Sequence, residues 1–183
     1  QLEITDTEGG AQPAESTNTD GLTAFGTDGF TVGGDAEYSG NTNTYVAWCW
    51  RANGGTTATN TSGTINSTVQ ANTAGGFSIA KFSGTGSNAT IGHGLTAAPD
   101  FFIIKDLSGN NHYNVYHSSI GATKYLELNT YSGGGTNSNR FQNTAPTSTL
   151  ISFGTNTTVN GSGKDYIVYS WHNVEGYQRF GTY

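Results

Sequence analysis

Four histidines stand where an imidazole could act. His93 lies in Ile91-Gly92-His93-Gly94-Leu95. Flanking glycines let the backbone turn sharply, and an imidazole at such a turn can be a ligand or a base. The same geometry lets the ring cap neighbouring backbone groups, which is the expectation here. His112 and His117 bracket a strand and lie near Asp106 in sequence. A metal site needs several converging ligands with orienting partners behind them. No ligand spacing of that kind occurs, so both histidines read as structural. His172 follows Trp171 and reads as a polar residue at a strand end.

Carboxylates offer little more. Glycoside hydrolysis needs two of them facing one sugar bond. Glu127 is the one acid inside a clear strand, between Leu126 and Leu128, and no acid two or four positions away shares its face. There is no Gly-x-Ser-x-Gly elbow and no phosphate loop ending in Gly-Lys-Ser/Thr. Asp20-Gly21 and Asp28-Gly29 could donate oxygens to calcium. They lack the dense acidic spacing of calcium loops and read as turns. The single Cys49 excludes an internal disulfide and a cysteine zinc site. Asn-x-Ser/Thr triplets at Asn60, Asn66, Asn88, Asn156 and Asn160 are expected by chance in a chain this rich in Asn and Thr. The expectation is a protein that is not an enzyme, with no cofactor and no metal.

Aromatic residues carry the remaining chemistry. Trp48 and Trp50 share one strand face. Exposed rings can stack sugars, because a ring is apolar on its face and tolerates water at its edge. Burial as core anchors is the stronger expectation for Tyr45, Trp48, Trp50, Tyr166 and Trp171. Tyr113, Tyr116, Tyr131 and Tyr177 fall in loop-rich surroundings. They are expected as surface contacts, where Tyr offers area and a hydroxyl at low entropic cost.

The elements that must position these side chains are strands. The chain has 183 residues, 33% of them hydrophobic, with 27 glycines. Aromatic content of 12% is too high for a floppy linker, and charged content of 11% is well below the usual quarter. Hydroxyls and amides must therefore solvate the surface, as suits extracellular or particle-bound settings. A net charge of −6 with seven scattered Lys and Arg gives no basic stripe for nucleic acid. No apolar run approaches membrane-spanning length. Strands are predicted at 2–5, 22–25, 30–32, 44–51, 77–82, 101–105, 114–116, 125–128, 150–153 and 166–171. The 44–51 run is apolar on both faces and reads as an interior strand. One helical turn is expected near 118–123. The fold class expected is all-β, a sandwich or jelly roll.

An internal repeat organises the chain. Phe30-Thr31-Val32-Gly33 precedes Tyr45-Val46-Ala47-Trp48-Cys49-Trp50 by 15 residues. Ile151-Ser152-Phe153-Gly154 precedes Tyr166-Ile167-Val168-Tyr169-Ser170-Trp171 by the same 15. Gly33 matches Gly154, Gly40 matches Gly161, Tyr45 matches Tyr166, and Trp50 matches Trp171. Residues 1–52 are read as the C-terminal part of a first β module, 53–64 as a Gly/Thr/Asn-rich linker, and 65–183 as a second module.

Tyr45-Val46-Ala47-Trp48-Cys49-Trp50 resembles a strand of a domain that recurs in virion proteins of marine and other tailed phages. The resemblance continues through Gly76-Phe77-Ser78-Ile79, then Ile91-Gly92-His93-Gly94-Leu95 with Ala98-Pro99-Asp100. Further on it includes Val115-Tyr116-His117 and Gly121-Ala122-Thr123-Lys124-Tyr125-Leu126 with Leu128-Asn129. It closes in Val174-Glu175-Gly176-Tyr177 and Phe180-Gly181-Thr182-Tyr183. The ordered set covers most of the chain. It implies a virion location and a structural or host-contacting role in a tail fibre or other surface component, with no catalytic residues to carry over. Members often carry lectin-like jelly-roll domains upstream and continue past the Phe-Gly end with a further module, so a fragment or processed chain is expected. Other virion proteins and copies of itself, as in a trimer, are the expected partners. Alternatives are a carbohydrate-binding module for host surface glycans and a capsid decoration protein. No nucleic acid and no membrane insertion are expected.

Overall fold

A computed structural model describes residues 18–52, 56–130 and 133–182. The protein is an all-β sandwich. Its main layer is an eight-stranded antiparallel sheet in the order β10-β9-β8-β7-β12-β5-β4-β3. The central members are β5 (Phe77–Ser83), β12 (Asp165–Trp171) and β7 (Phe101–Asp106). Beyond β5 lie β4 (Ser67–Asn72) and β3 (Ala58–Asn60). Beyond β7 lie β8 (Asn114–His117), β9 (Lys124–Glu127) and β10 (Gly135–Thr136). Two meanders are thus joined by a last strand laid between them. β12 pairs along its whole length with β5 and along six of its residues with β7.

The second layer is a ribbon of β6 (Ala89–Gly92) and β11 (Leu150–Phe153), with two one-turn helices, α2 (Ser138–Phe141) and α3 (Thr157–Asn160). Alternation along the strands sends Val69, Ala80, Phe82, Phe102, Ile104, Tyr116, Tyr166 and Val168 to this layer. They meet Ile91, Ile151, Phe153, Phe141 and Val159. Phe82 stacks between Phe153 and Tyr166 at 5.4 and 5.3 Å. Phe102 stacks on Tyr116 at 4.9 Å and meets the edge of Phe141 at 5.1 Å. Burying such rings stabilises the fold by about 1.5–3 kcal/mol each.

Polar locks close the layer. Arg140 in α2 bonds Asn114, pairs with Glu127 at 3.0 Å and lies 3.4 Å over the Tyr125 ring. The Tyr166 hydroxyl accepts from the Gly161 amide at 2.7 Å and donates to the Thr157 carbonyl at 2.6 Å. That single oxygen ties both ends of α3 to β12. Burial pushes the Tyr166 phenol up to about 12, so it stays a donor at every working pH.

Three expectations are corrected. Residues 44–51 carry no strand pairing, because no neighbouring strand lies on either side among the described residues. β3 lies inside the stretch read as linker, where its Thr and Asn side chains give no alternation to detect. Residues 118–123 form turns without a helix, whereas single helical turns stand at Ala36–Ser39 (α1), Ser138–Phe141 and Thr157–Asn160. Each is capped by an Asx side chain, at Asp35, Asn137 and Asn156. The predicted 22–25 and 30–32 strands are the hairpin β1 (Leu22–Phe25) and β2 (Phe30–Val32). The 2–5 strand lies outside the described residues.

Tyr166→Phe keeps the ring and removes both hydroxyl bonds. It is expected to cost about 1–3 kcal/mol, read as a lower urea midpoint with an unchanged β-sheet circular dichroism spectrum.

Candidate interaction surface

The face of the main sheet turned away from the core is also apolar. Register places Ile79, Tyr169, Ile103, Val115 and Leu126 in one row across five strands. Phe77, Trp171, Phe101 and His117 form the next row. Lys81, Ile167 and Lys105 form a third. Lys105 is fully buried, and its ammonium donates to the Asp106 carbonyl at 2.7 Å while lying 5.6 Å from the Tyr113 ring centre. Ile79, Ile103, Ile167 and Tyr169 are only half-buried.

Aromatic rings from outside the sheet close one end of this face. Trp50 meets Trp171 edge-on at 5.4 Å and Phe77 at 6.2 Å. Phe180 stacks on Phe101 at 5.3 Å. Trp171 is in turn 5.0 Å from Phe77 and 5.5 Å from Phe101. The Asn72 side chain donates to the Arg51 carbonyl and holds the Trp50 segment there. Gln178 bonds the carbonyls of Gly75, Gly76 and His172, which returns the C-terminal loop to the same end.

Trp171 and Tyr166 are buried, at 5% and 0% exposure. Tyr45, Trp48 and Trp50, expected in the core, are 49%, 73% and 49% exposed. The reason is again that no strand flanks residues 44–51 among the described residues. Tyr113 and Tyr116, expected at the surface, are 2% and 3% exposed. Tyr116 faces the core layer by strand alternation, and Tyr113 covers the Lys105 side chain. Tyr177 is exposed, and Tyr131 lies outside the described residues. No sequence pattern signals that Trp50 and Phe180 lie on one sheet face. The repeat marks Trp50 and Trp171 as the aromatic ends of its two blocks, and Phe180 lies outside both.

The titratable groups are mostly engaged locally. Asp106 is tied to Lys164 at 2.7 Å, to Asn111 and to the Ser108 amide. Burial opposes its ionisation, but these donors outweigh burial and lower its pKa. Asp165 accepts from Ser83 and lies near Lys81. Asp100 holds the Asn173 amide and the Ser118 hydroxyl. His117 Nδ1 accepts from the Ser119 amide, so the Ser119 hydroxyl, at 2.6 Å, also donates to it. No group of three His, Cys, Asp or Glu side chains converges among the described residues. A groove of about 510 Å³ beside β3 is lined by Thr56, Thr57, Thr59, Asn60 and Ser62, without an aromatic platform.

His93 is completely buried. Its Nδ1 accepts from the Leu95 amide at 3.2 Å, which leaves the proton on Nε2 to donate to the Thr147 carbonyl. Gly94 makes this possible with φ at 77°, where a side chain would be strained and would strike Val69. Burial first, and repulsion from His172 in addition, lower the His93 pKa to about 4 against the pull of the Thr147 bond.

The chain belongs to a family described as a domain of unknown function (DUF7483), whose model matches residues 4–183. No curated protein and no solved structure matches it.

Protonation of His93 must break its bond from Leu95. Above pH 6.5 the ring is neutral in both folded and unfolded chains, and its contribution to stability is complete. As pH falls from there to 4, the unfolded chain binds the proton first and stability drops by roughly 3 kcal/mol. His93→Gln is expected to flatten this slope, as measured by urea unfolding between pH 7 and 4.

Proposed function

We propose that this chain is a structural module of a tailed-phage particle, in a tail fibre or other surface component, serving assembly and host adhesion. The observation that carries this reading is where its large exposed apolar side chains lie. Phe25, Phe30, Tyr45, Val46, Trp48 and Trp50 are exposed within one segment, with only Leu128 and Tyr177 elsewhere among the described residues. Such a concentration marks an interaction site rather than scattered surface apolarity. A rigid sandwich solvated by hydroxyls and amides suits a particle component. The ordered resemblance over most of the chain points the same way.

The terminal strands β3 and β10 are only three and two residues long. Short edges resist edge-to-edge pairing. Partners, including further copies in a symmetric assembly, are therefore better served by the apolar segment than by the sheet edges. Capsid decoration would place the same physics elsewhere on the particle. A second reading, glycan recognition, draws on the exposed rings of Trp48 and Tyr177, at 73% and 71%.

Antibodies against the purified chain are expected to label intact particles of the encoding phage, and a particle reconstruction to show its density at the surface. Purified particles lacking the chain would reject the proposal. On a glycan array, binding abolished by Trp48→Ala or Tyr177→Ala would favour the second reading.

A further inference from the structure

The segment 18–50 and the segment 137–171 share more than sequence. Asn18 accepts from the Asp20 amide at 2.9 Å, and Asn137 accepts from the Asn139 amide at 2.9 Å. The Asp20 carbonyl then accepts from the Asp35 amide, and the Asn139 carbonyl from the Asn156 amide. The Gly33 amide donates to Gly21 at 2.7 Å, and the Gly154 amide to Arg140 at 2.8 Å. A side chain at Gly33 would strike the Asp20 carbonyl, and one at Gly154 the Asn139 carbonyl. Asp35 caps α1 through the Glu37 amide, as Asn156 caps α3 through the Thr158 amide. Finally, the Tyr45 hydroxyl accepts from Gly40 at 2.7 Å and donates to Ala36 at 2.7 Å. That is the bridge Tyr166 makes between Gly161 and Thr157.

The two copies differ in what surrounds them. Tyr166, Val168 and Ser170 are fully buried, because β5 and β7 flank β12. Their counterparts Tyr45, Ala47 and Cys49 are all exposed. Phe30, the counterpart of the buried Ile151, is 43% exposed. The local turns are complete, while the lane on either side of residues 44–51 is empty among the described residues.

We infer that residues 18–52 are the closing part of a second copy of the same module. Residues 44–51 are its central strand, and they dock between two antiparallel strands of a separate polypeptide segment that carries the β4–β8 part of the module. The complete copy shows what covers the bare one. Trp50 takes the place of Trp171, between partners like Phe77 and Phe101. Tyr45 takes the place of Tyr166, beside a partner like Phe82. Ala47 and Cys49 supply the small inner side chains that Val168 and Ser170 supply in β12, while Val46 and Trp48 stand outward as Ile167 and Tyr169 do. The partner is thus recognised by main-chain pairing on both sides and by apolar alternation, as in strand addition. The inference does not depend on the particle role proposed above.

Cys49 is the reporter, because it is the one cysteine and is exposed. The probe is a polypeptide of residues 56–129 of this sequence, refolded together with the full chain. Cys49 is expected to react freely with a thiol reagent in the chain alone. With the probe bound, its reactivity should fall at least roughly a hundredfold, since reaction then requires opening of a core strand. Amides of 44–51 should become protected from hydrogen exchange in the same complex. Ala47→Asp should abolish both effects without moving the unfolding midpoint of the complete module. Where the probe precipitates, residues 56–125 joined ahead of Leu2 place the same strands on one chain, with the same expected protection. Cys49 reactivity and 44–51 exchange that stay unchanged in both formats would overturn the inference. So would amides of 44–51 already protected in the chain alone.

Discussion

The sheet depends on β12 being paired on both sides. Without it the structure would be two separate antiparallel meanders, each with an unpaired edge at β5 or β7. With it, one row of side chains runs unbroken from β4 to β9. The strand is also the last to be reached along the chain, and its partners β5 and β7 are distant in sequence. Such pairing is entropically costly to form. The compensation lies at the ends of the strand. The Tyr166 hydroxyl bonds both ends of the preceding α3 turn, which fixes the strand's entry to the sheet. At the other end, Trp171 fills the space between Phe77 and Phe101 and is sealed by Trp50 and Phe180.

Few charges serve this architecture, and they act at junctions rather than across the surface. Arg140 and Glu127 join α2 to the β8–β9 side of the sheet. Asp106 and Lys164 join the loop after β7 to the start of β12. Buried pairs of this kind contribute little net stability against apolar replacements, but removing one member leaves an uncompensated charge. Their value is positional. Elsewhere short polar side chains do the capping, with Asp35, Asn137 and Asn156 at the helix starts. The three one-turn helices exist because an Asx side chain satisfies the first free amides of each.

Strands β5, β7, β8, β9, β11 and β12 of the complete module were legible because hydrophobic runs bounded by Gly and Asn are a strong local signal. The predicted 101–105 and 166–171 runs are β7 and β12, each one residue longer in the fold. β3, β4, β6 and β10 were not legible, since short strands rich in Thr, Ser, Asn, Ala and Gly look like loops. The one-turn helices were not either, because four residues are too few for helical periodicity. The candidate surface was the least legible part. Tyr113 and Tyr116 have the composition of contact residues, but strand direction and a buried lysine decide where they point. Tyr45, Trp48 and Trp50 have the composition of core residues, and nothing within their own run shows whether neighbouring strands are present. Hydrophobicity specifies what a side chain prefers, while burial depends on what the rest of the fold supplies.

That distinction separates two kinds of exposed apolar surface in this protein. The outer panel of Ile79, Ile103, Ile167 and Tyr169 is half-covered and flat, with complete main-chain pairing beneath it. A partner there would gain only side-chain contact. The 44–51 segment has little side-chain cover except at Trp50, and no strand pairs with it among the described residues. Its amides and carbonyls can be satisfied by water, so exposure is tolerable, but a strand that binds there gains hydrogen bonds and apolar burial together. Cooperative gain of both terms makes the segment the stronger attachment point of the two. It also gives the segment directionality that a flat apolar panel lacks, because register fixes which residue meets which.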